Sequence, residues 1–102
     1  MTRDELAALV REMFAAETAS KAADAALVEA NDRADSLYGT SLRFPDDQVI
    51  AALRAQNLSD CGVLSGVRSE ARRRLSDARE VLKAAIAAPP ADPQAMPTKE
   101  QP

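Results

Sequence analysis

Residues 2–38 read TRDELAALVREMFAAETASKAADAALVEANDRADSLY, and this stretch decides the fold. Apolar and small residues recur in it at alternating intervals of three and four positions, which is the heptad period of helices that pack side by side. We call these positions the α1 seam: Leu6, Leu9, Met13, Ala16, Ser20, Ala23, Leu27, Ala30, Ala34 and Leu37. The stretch therefore predicts one long amphipathic helix, over about residues 3–38, whose seam lies against another helix.

The sequence also marks the two ends of this helix. Thr2 and Glu5 have the spacing of a capping box, in which each side chain bonds the backbone of the other residue. Gly39 follows Tyr38 and is expected to stop the helix, because glycine readily adopts the left-handed conformation that ends helices. At about 1.5 Å per residue the helix would be roughly 54 Å long, so the molecule is expected to be elongated.

The composition favours an all-α protein. Hydrophobic residues make up 46% of the 102 residues, but aromatic residues only 3%, and there are 3 glycines. Sheet proteins use more aromatic and β-branched residues and more turn glycines. A chain this small with an alanine-rich seam is also a candidate for stabilisation by oligomerisation.

The second half of the chain predicts two further helical segments. Pro45-Asp46-Asp47 is a favourable helix start, since proline suits the first helical position and acids suit the dipole there. A helix is expected over about 45–57, then a break near Asn57–Asp60, where Ser59 or Asp60 would cap a helix over about 60–88. The inward positions predicted for the last helix are Leu64, Val67, Ala71, Leu75, Ala78, Leu82 and Ile86.

These segments predict an elongated antiparallel helical hairpin with two long arms, in which residues 1–88 form one helical domain. Tyr38, Leu42 and Phe44 are expected to close its loop end as an apolar plug. Gly62 and Gly66, four residues apart, are expected to permit a close backbone crossing with the alanines of the first helix. Residues 89–102 are rich in proline and polar residues and are predicted to be a flexible, disordered tail.

The sequence argues against several functional classes. It contains no histidine, the commonest general base and metal ligand, and no glycine-rich phosphate loop. We therefore expect no enzymatic activity, no cofactor and no metal, and the single cysteine, Cys61, is expected to be a small buried hydrophobe. No apolar run approaches the length of a membrane span and no signal-peptide pattern is present, so the expected location is the cytoplasm.

The function expected from these features is non-catalytic protein–protein interaction through helix–helix contacts. The partner would be a second copy of the chain, forming a homo-oligomer, or a larger assembly. Small all-α chains of this type include assembly factors, adaptors and inhibitors, some of them from phages and mobile elements. The predicted contact surface, here called the terminal patch, is the excess of apolar residues where the first helix meets the end of the last: Leu6, Val10, Met13, Phe14, Val81 and Ile86.

The alternative function is nucleic-acid binding. The last helix carries five arginines, Arg68, Arg72, Arg73, Arg74 and Arg79, which could contact phosphates in a loose helix-turn-helix arrangement. The competing interpretation is that these arginines form ion pairs with acids of the first helix, for which Glu12, Glu17 and Asp24 are the candidates. The net charge of −3 gives no overall attraction to nucleic acid.

Overall fold

The computed structural model describes residues 1–88, which form two antiparallel α-helices. Helix α1 spans Arg3–Arg43 and helix α2 spans Gln48–Ala87. With about 1.5 Å of rise per residue, each helix is about 60 Å long. The prediction of an elongated all-α hairpin with two long arms is therefore confirmed. The predicted tail, residues 89–102, lies outside the described residues.

Helix α1 begins with the predicted capping box. The Thr2 hydroxyl accepts a hydrogen bond from the Glu5 backbone N–H at 3.1 Å, and the Glu5 carboxylate accepts one from the Thr2 N–H at 2.7 Å. The hydrogen bond from the Thr2 backbone lowers the pKa of Glu5. Two backbone N–H groups at the N-terminus of α1, which have no partner within the helix, are therefore bonded to side chains instead of water.

Pro45, rather than Gly39, ends α1. Gly39 has no positive φ, and the helix continues past it to Arg43. A single glycine weakens a helix by about 1 kcal/mol relative to alanine but does not terminate it. The residue before a proline is disfavoured in the helical region, and Phe44, with φ −131° and ψ 64°, is the first residue to leave it.

Helix α2 begins three residues later than Pro45 suggested. Asp47 is the N-cap, and its Oδ1 accepts hydrogen bonds from the backbone N–H groups of Val49 at 2.9 Å and Ile50 at 3.1 Å. The Asp47 N–H in turn donates to the Phe44 carbonyl at 3.2 Å, which closes the connection between the helices. Pro45 and Asp46 therefore belong to this turn and not to the first turn of α2.

The predicted break near Asn57–Asp60 is wrong, because α2 is one continuous helix from Gln48 to Ala87. The segments predicted as helices 45–57 and 60–88 are parts of it. Asn57 is only 6% exposed, so it lies at the contact with α1 instead of capping a helix end. Asp60 accepts a hydrogen bond from Gln56 Nε2 at 2.9 Å, one turn away within the helix. Packing along the hairpin outweighs the low helix propensity of these residues.

Over residues 64–86, the inward face of α2 differs from the predicted one at two positions. Arg68 and Ala85 are partly buried, whereas Val67 is 49% and Ile86 66% exposed. The inward positions of α2 therefore keep a strict heptad: Asn57, Cys61, Leu64, Arg68, Ala71, Leu75, Ala78, Leu82 and Ala85. Arg68 is tolerated there because the aliphatic stem of an arginine can pack while its charged end reaches solvent.

The contact between the helices buries small residues. Ala16 and Ala30 are fully buried, and Ser20, Ala23, Leu27 and Asn57 are the other residues of 1–88 with less than a tenth of their surface exposed. The predicted close crossing at Gly62 and Gly66 is not present within the hairpin, because a Cβ added to either glycine would meet no atom within 4 Å. Alanine at the inward positions, rather than glycine, sets the spacing of the helices.

Candidate interaction surfaces

Ion pairs between the helices define two long sides of the hairpin. On one side, Arg74 forms two hydrogen bonds to Glu12, at 2.8 and 3.2 Å. On the opposite side, Arg72 pairs with Asp24 at 3.1 Å and Arg79 with Glu17 at 3.6 Å. Glu12 belongs to one of the two heptad positions that flank an antiparallel seam, and Glu17 and Asp24 belong to the other. We call these the Glu12 side and the Glu17 side.

The arginine cluster of α2 largely faces carboxylates of the same chain. Arg72, Arg74 and Arg79 pair with the three acids of α1 for which pairing was predicted, so that interpretation is confirmed for them. Arg73 pairs with Glu70 one turn earlier in α2. Arg68 is half-buried at an inward position. The five side chains thus do not form one uncompensated cationic surface in the hairpin.

The Glu12–Arg74 pair gives a prediction for pH dependence. The hydrogen bonds and charge of Arg74 lower the pKa of Glu12 below its ordinary value. A carboxylate with a lowered folded-state pKa stabilises the fold above its unfolded-state pKa, and this contribution disappears as pH falls through the folded-state pKa. We expect wild type to be more stable than Glu12→Gln at neutral pH and to lose that advantage in acid. Urea unfolding of both proteins across pH measures this, and a difference that does not change with pH would contradict it.

The structure divides the predicted terminal patch between the two sides. Met13 and Ile86 line one groove together with Leu82, and Glu17 and Arg79 border that groove. Val81 lines a different groove, on the Glu12 side, together with Leu9. By heptad position, Val10 and Phe14 lie on the Glu17 side near Ile86, and Leu6 lies on the seam. Phe14 and Ile86 are 56% and 66% exposed, so the larger share of the exposed patch is on the Glu17 side.

The loop end is also apolar and open. Tyr38, Leu42 and Phe44 all have more than half of their surface exposed, so the predicted plug does not form within the hairpin. Tyr38 instead lies under the guanidinium of Arg54, whose carbon is 5.3 Å from the ring centre. Arg54 also donates a hydrogen bond to the Ser41 hydroxyl at 3.3 Å. Both ends of the hairpin therefore carry exposed apolar side chains.

A row of residues on the outer surface of α1 joins these two ends. Its members are seven residues apart, so they lie in one line along the helix. Each comes four residues, or about one turn, after a residue of the Glu17 side, so the row lies next to that side. We call this row the α1 column: Phe14, Lys21, Val28, Asp35 and Leu42. All five are exposed, and Val28 at its centre is 59% exposed. Only Phe14 was included in the predicted contact surface, although the seven-residue spacing could have indicated the whole column.

The described part of the chain was compared with two kinds of pattern, a cluster of metal-ligating side chains and a membrane-spanning helix. No cluster of three or more metal-ligating acidic, cysteine or histidine side chains occurs within residues 1–88. Neither α1 nor α2 contains a stretch long and apolar enough to cross a membrane. Comparisons with protein-family models, with curated proteins and with solved structures find no match. The exposed apolar surfaces of the hairpin are its most prominent candidate sites.

Proposed function

We propose that this protein is a helix–helix interaction module whose hydrophobic core is completed by another protein surface. The observation that carries the proposal is the contrast between buried and exposed apolar residues. Within residues 1–88, the apolar side chains with less than a tenth of their surface exposed are three alanines and one leucine. Phe14, Tyr38, Phe44 and several valines and leucines, by contrast, have half or more of their surface exposed.

The energetics of burial support this proposal. Burying apolar surface stabilises a protein by about 25 cal/mol per Å², and an alanine methyl contributes little area. Chains of this size with small cores are commonly stabilised by association. A binding surface also explains why exposed apolar residues occur at both ends of the hairpin and along the outer surfaces of both helices.

The partner class follows from the shape of these surfaces. They run along helices instead of forming a closed cavity, so they suit another helix or helical bundle. Assembly factors, adaptors and stoichiometric inhibitors, including those of phages and mobile elements, are roles that such a module would fill. Nucleic-acid binding is the less favoured function, because Arg72, Arg74 and Arg79 face acids of α1.

Urea unfolding at several protein concentrations tests the proposal. A chain that completes its core by self-association is expected to unfold at a urea midpoint that rises with protein concentration. A chain that requires a different protein is expected to be a weakly stable, partly helical monomer when isolated. Either result supports an interaction module. A monomer with high, cooperative stability that is independent of concentration would contradict it, because its core would be complete without a partner.

A further inference from the structure

The α1 column has a pattern that is complementary to itself. Read in chain order, Phe14, Lys21, Val28, Asp35 and Leu42 alternate apolar and charged residues, and the two charges have opposite sign. Read in reverse, the apolar positions are unchanged and the positions of the two charges are exchanged. An antiparallel copy of the same column therefore presents an apolar residue to each apolar residue and an opposite charge to each charge.

A two-fold axis through Val28 produces this match. It places Val28 against Val28 of the second copy and Lys21 against Asp35 of the second copy. Phe14 then meets Leu42 of the second copy, so the terminal end of one hairpin covers the loop end of the other. Phe14 and Leu42, exposed at the two ends of one hairpin, become part of a single interface. Such an isologous contact is the arrangement of most homodimers.

The charges of the α1 column are available for this contact. Lys21 and Asp35 form no ion pair or side-chain hydrogen bond within residues 1–88, although Glu17 is one turn from Lys21 and pairs instead with Arg79. A similar alternation occurs on α2 at the heptad position that flanks the seam on the Glu12 side: Leu53, Asp60, Val67, Arg74 and Val81. In that row, however, Arg74 is bonded to Glu12 and Asp60 to Gln56. Of these two rows, the α1 column is the one whose charges have no partner within residues 1–88.

The position of the α1 column also fits a four-helix bundle. The surface made by the column and the adjacent Glu17-side positions lies about 100° around α1 from the seam, at about 100° per residue. A second hairpin placed there brings the two copies of α2 beside one another along a row of mostly small residues that includes Gly62, Ser69 and Ser76. Gly62 has no packing reason within one hairpin. A close approach of α2 to its counterpart supplies one.

We infer that a second copy of this chain docks on the α1 column, antiparallel and about a two-fold axis at Val28, to form a four-helix bundle. The inference rests on the proposed function and specifies its partner. Because the two-fold axis repeats each contact, the interface contains two contacts between Phe14 and Leu42. It likewise contains two ion pairs between Lys21 and Asp35. Because Val28 faces Val28 of the second copy, a single substitution at this position changes both sides of the same contact.

Complementary charges at position 28 test the inference. Val28→Asp and Val28→Lys should each self-associate with a dissociation constant raised by more than about a hundredfold, because each places two like charges at the axis. Mixed in equal amounts, they should form a heterodimer, because aspartate then faces lysine. Light scattering gives the masses and far-UV circular dichroism gives the helix content. If either variant alone loses both helix content and association, the equimolar mixture of the two should regain both.

Charge reversal at the other pair is a second, independent test. Lys21→Glu alone and Asp35→Lys alone should each weaken the dimer several-fold, since exposed ion pairs contribute up to about 1 kcal/mol each and two are reversed. The double variant Lys21→Glu/Asp35→Lys restores both pairs and should recover wild-type association. Val67→Asp is the matched control for Val28→Asp. It makes the same change at an exposed position of α2 on the Glu12 side and should leave the dimer intact.

The outcomes separate the inference from the proposed function. A wild-type dimer that Val67→Asp disrupts and Val28→Asp does not would overturn docking on the α1 column while leaving an interaction module. A weakly stable wild-type monomer would overturn the second copy as partner and leave a different protein. Failure of the two Val28 variants to associate when mixed would overturn the two-fold axis at that residue.

Discussion

Leu27→Ala is expected to lower the free energy of unfolding by about 2–5 kcal/mol, the range for truncating a buried leucine. Leu27 is 7% exposed and is the one large apolar side chain of residues 1–88 with less than a tenth of its surface exposed. Its neighbours along the α1 seam, Ala23 and Ala30, are small and cannot extend into the gap that the truncation leaves. Urea unfolding at one fixed protein concentration measures the loss.

The matched control is Leu53→Ala. It makes the same chemical change on α2 at a position that is 52% exposed and faces away from the α1 column. We expect it to lower stability by less than about 1 kcal/mol, because surface substitutions away from packed sites have small effects. Equal losses at Leu27 and Leu53 would show that the seam is not the principal site of apolar burial.

Ala30→Leu is expected to destabilise the hairpin by about 1–3 kcal/mol through overpacking. Ala30 has no exposed surface, so a larger side chain there must push the helices apart or leave its preferred rotamer. Ala16 is equally buried, and Ala16→Leu should have an effect of similar size. Since leucine is nearly as good a helix former as alanine, the loss would come from packing and not from helix propensity.

Ala25→Leu provides the comparison for these variants. Ala25 is exposed on the outer surface of α1, where the extra methyl groups meet solvent. Its stability is expected to stay within about 0.5 kcal/mol of wild type, as is usual for surface positions. If Ala30→Leu instead stabilised the protein, the helices would not be held at the close separation that alanine permits.

Helix α1 was predicted well because its signals are local and agree with one another. The capping box requires only Thr2 and Glu5, and the three-and-four spacing holds along the whole helix without a competing apolar row of equal length. The end was misplaced by one turn because Gly39 was given more weight than Pro45. Proline acts on the residue before it through a steric clash, whereas glycine only permits a turn.

Helix α2 was predicted less well because its local and tertiary signals disagree. Residues around Asn57 favour helix ends by intrinsic propensity, but their contact with α1 keeps them helical. Val67 and Ile86 were assigned to the inward face because they are apolar, whereas the heptad set by α1 places Arg68 and Ala85 there. Hydrophobicity alone cannot distinguish a buried apolar position from an exposed one when the chain has both.

The positions of the candidate surface residues were predicted in part. The acids and arginines that pair between the helices were found from charge alone, because an acidic α1 and a basic α2 face each other in a hairpin. The terminal patch was treated as one surface, although Ile86 and Val81 lie on opposite sides of the seam. The α1 column was missed because Leu42 was assigned to the loop-end plug and Val28 to no surface, although both lie at multiples of seven residues from Phe14.

The most direct measurement is the solution mass of the wild-type chain, by light scattering over a wide range of concentration. Docking of a second copy on the α1 column predicts twice the mass of one chain, falling to the mass of one chain only on strong dilution. Helix content should fall with the mass, because the hairpin and the bundle stabilise one another. A mass of one chain at every concentration, with undiminished helix content and stability, would contradict both the dimer and the incomplete core from which it was inferred.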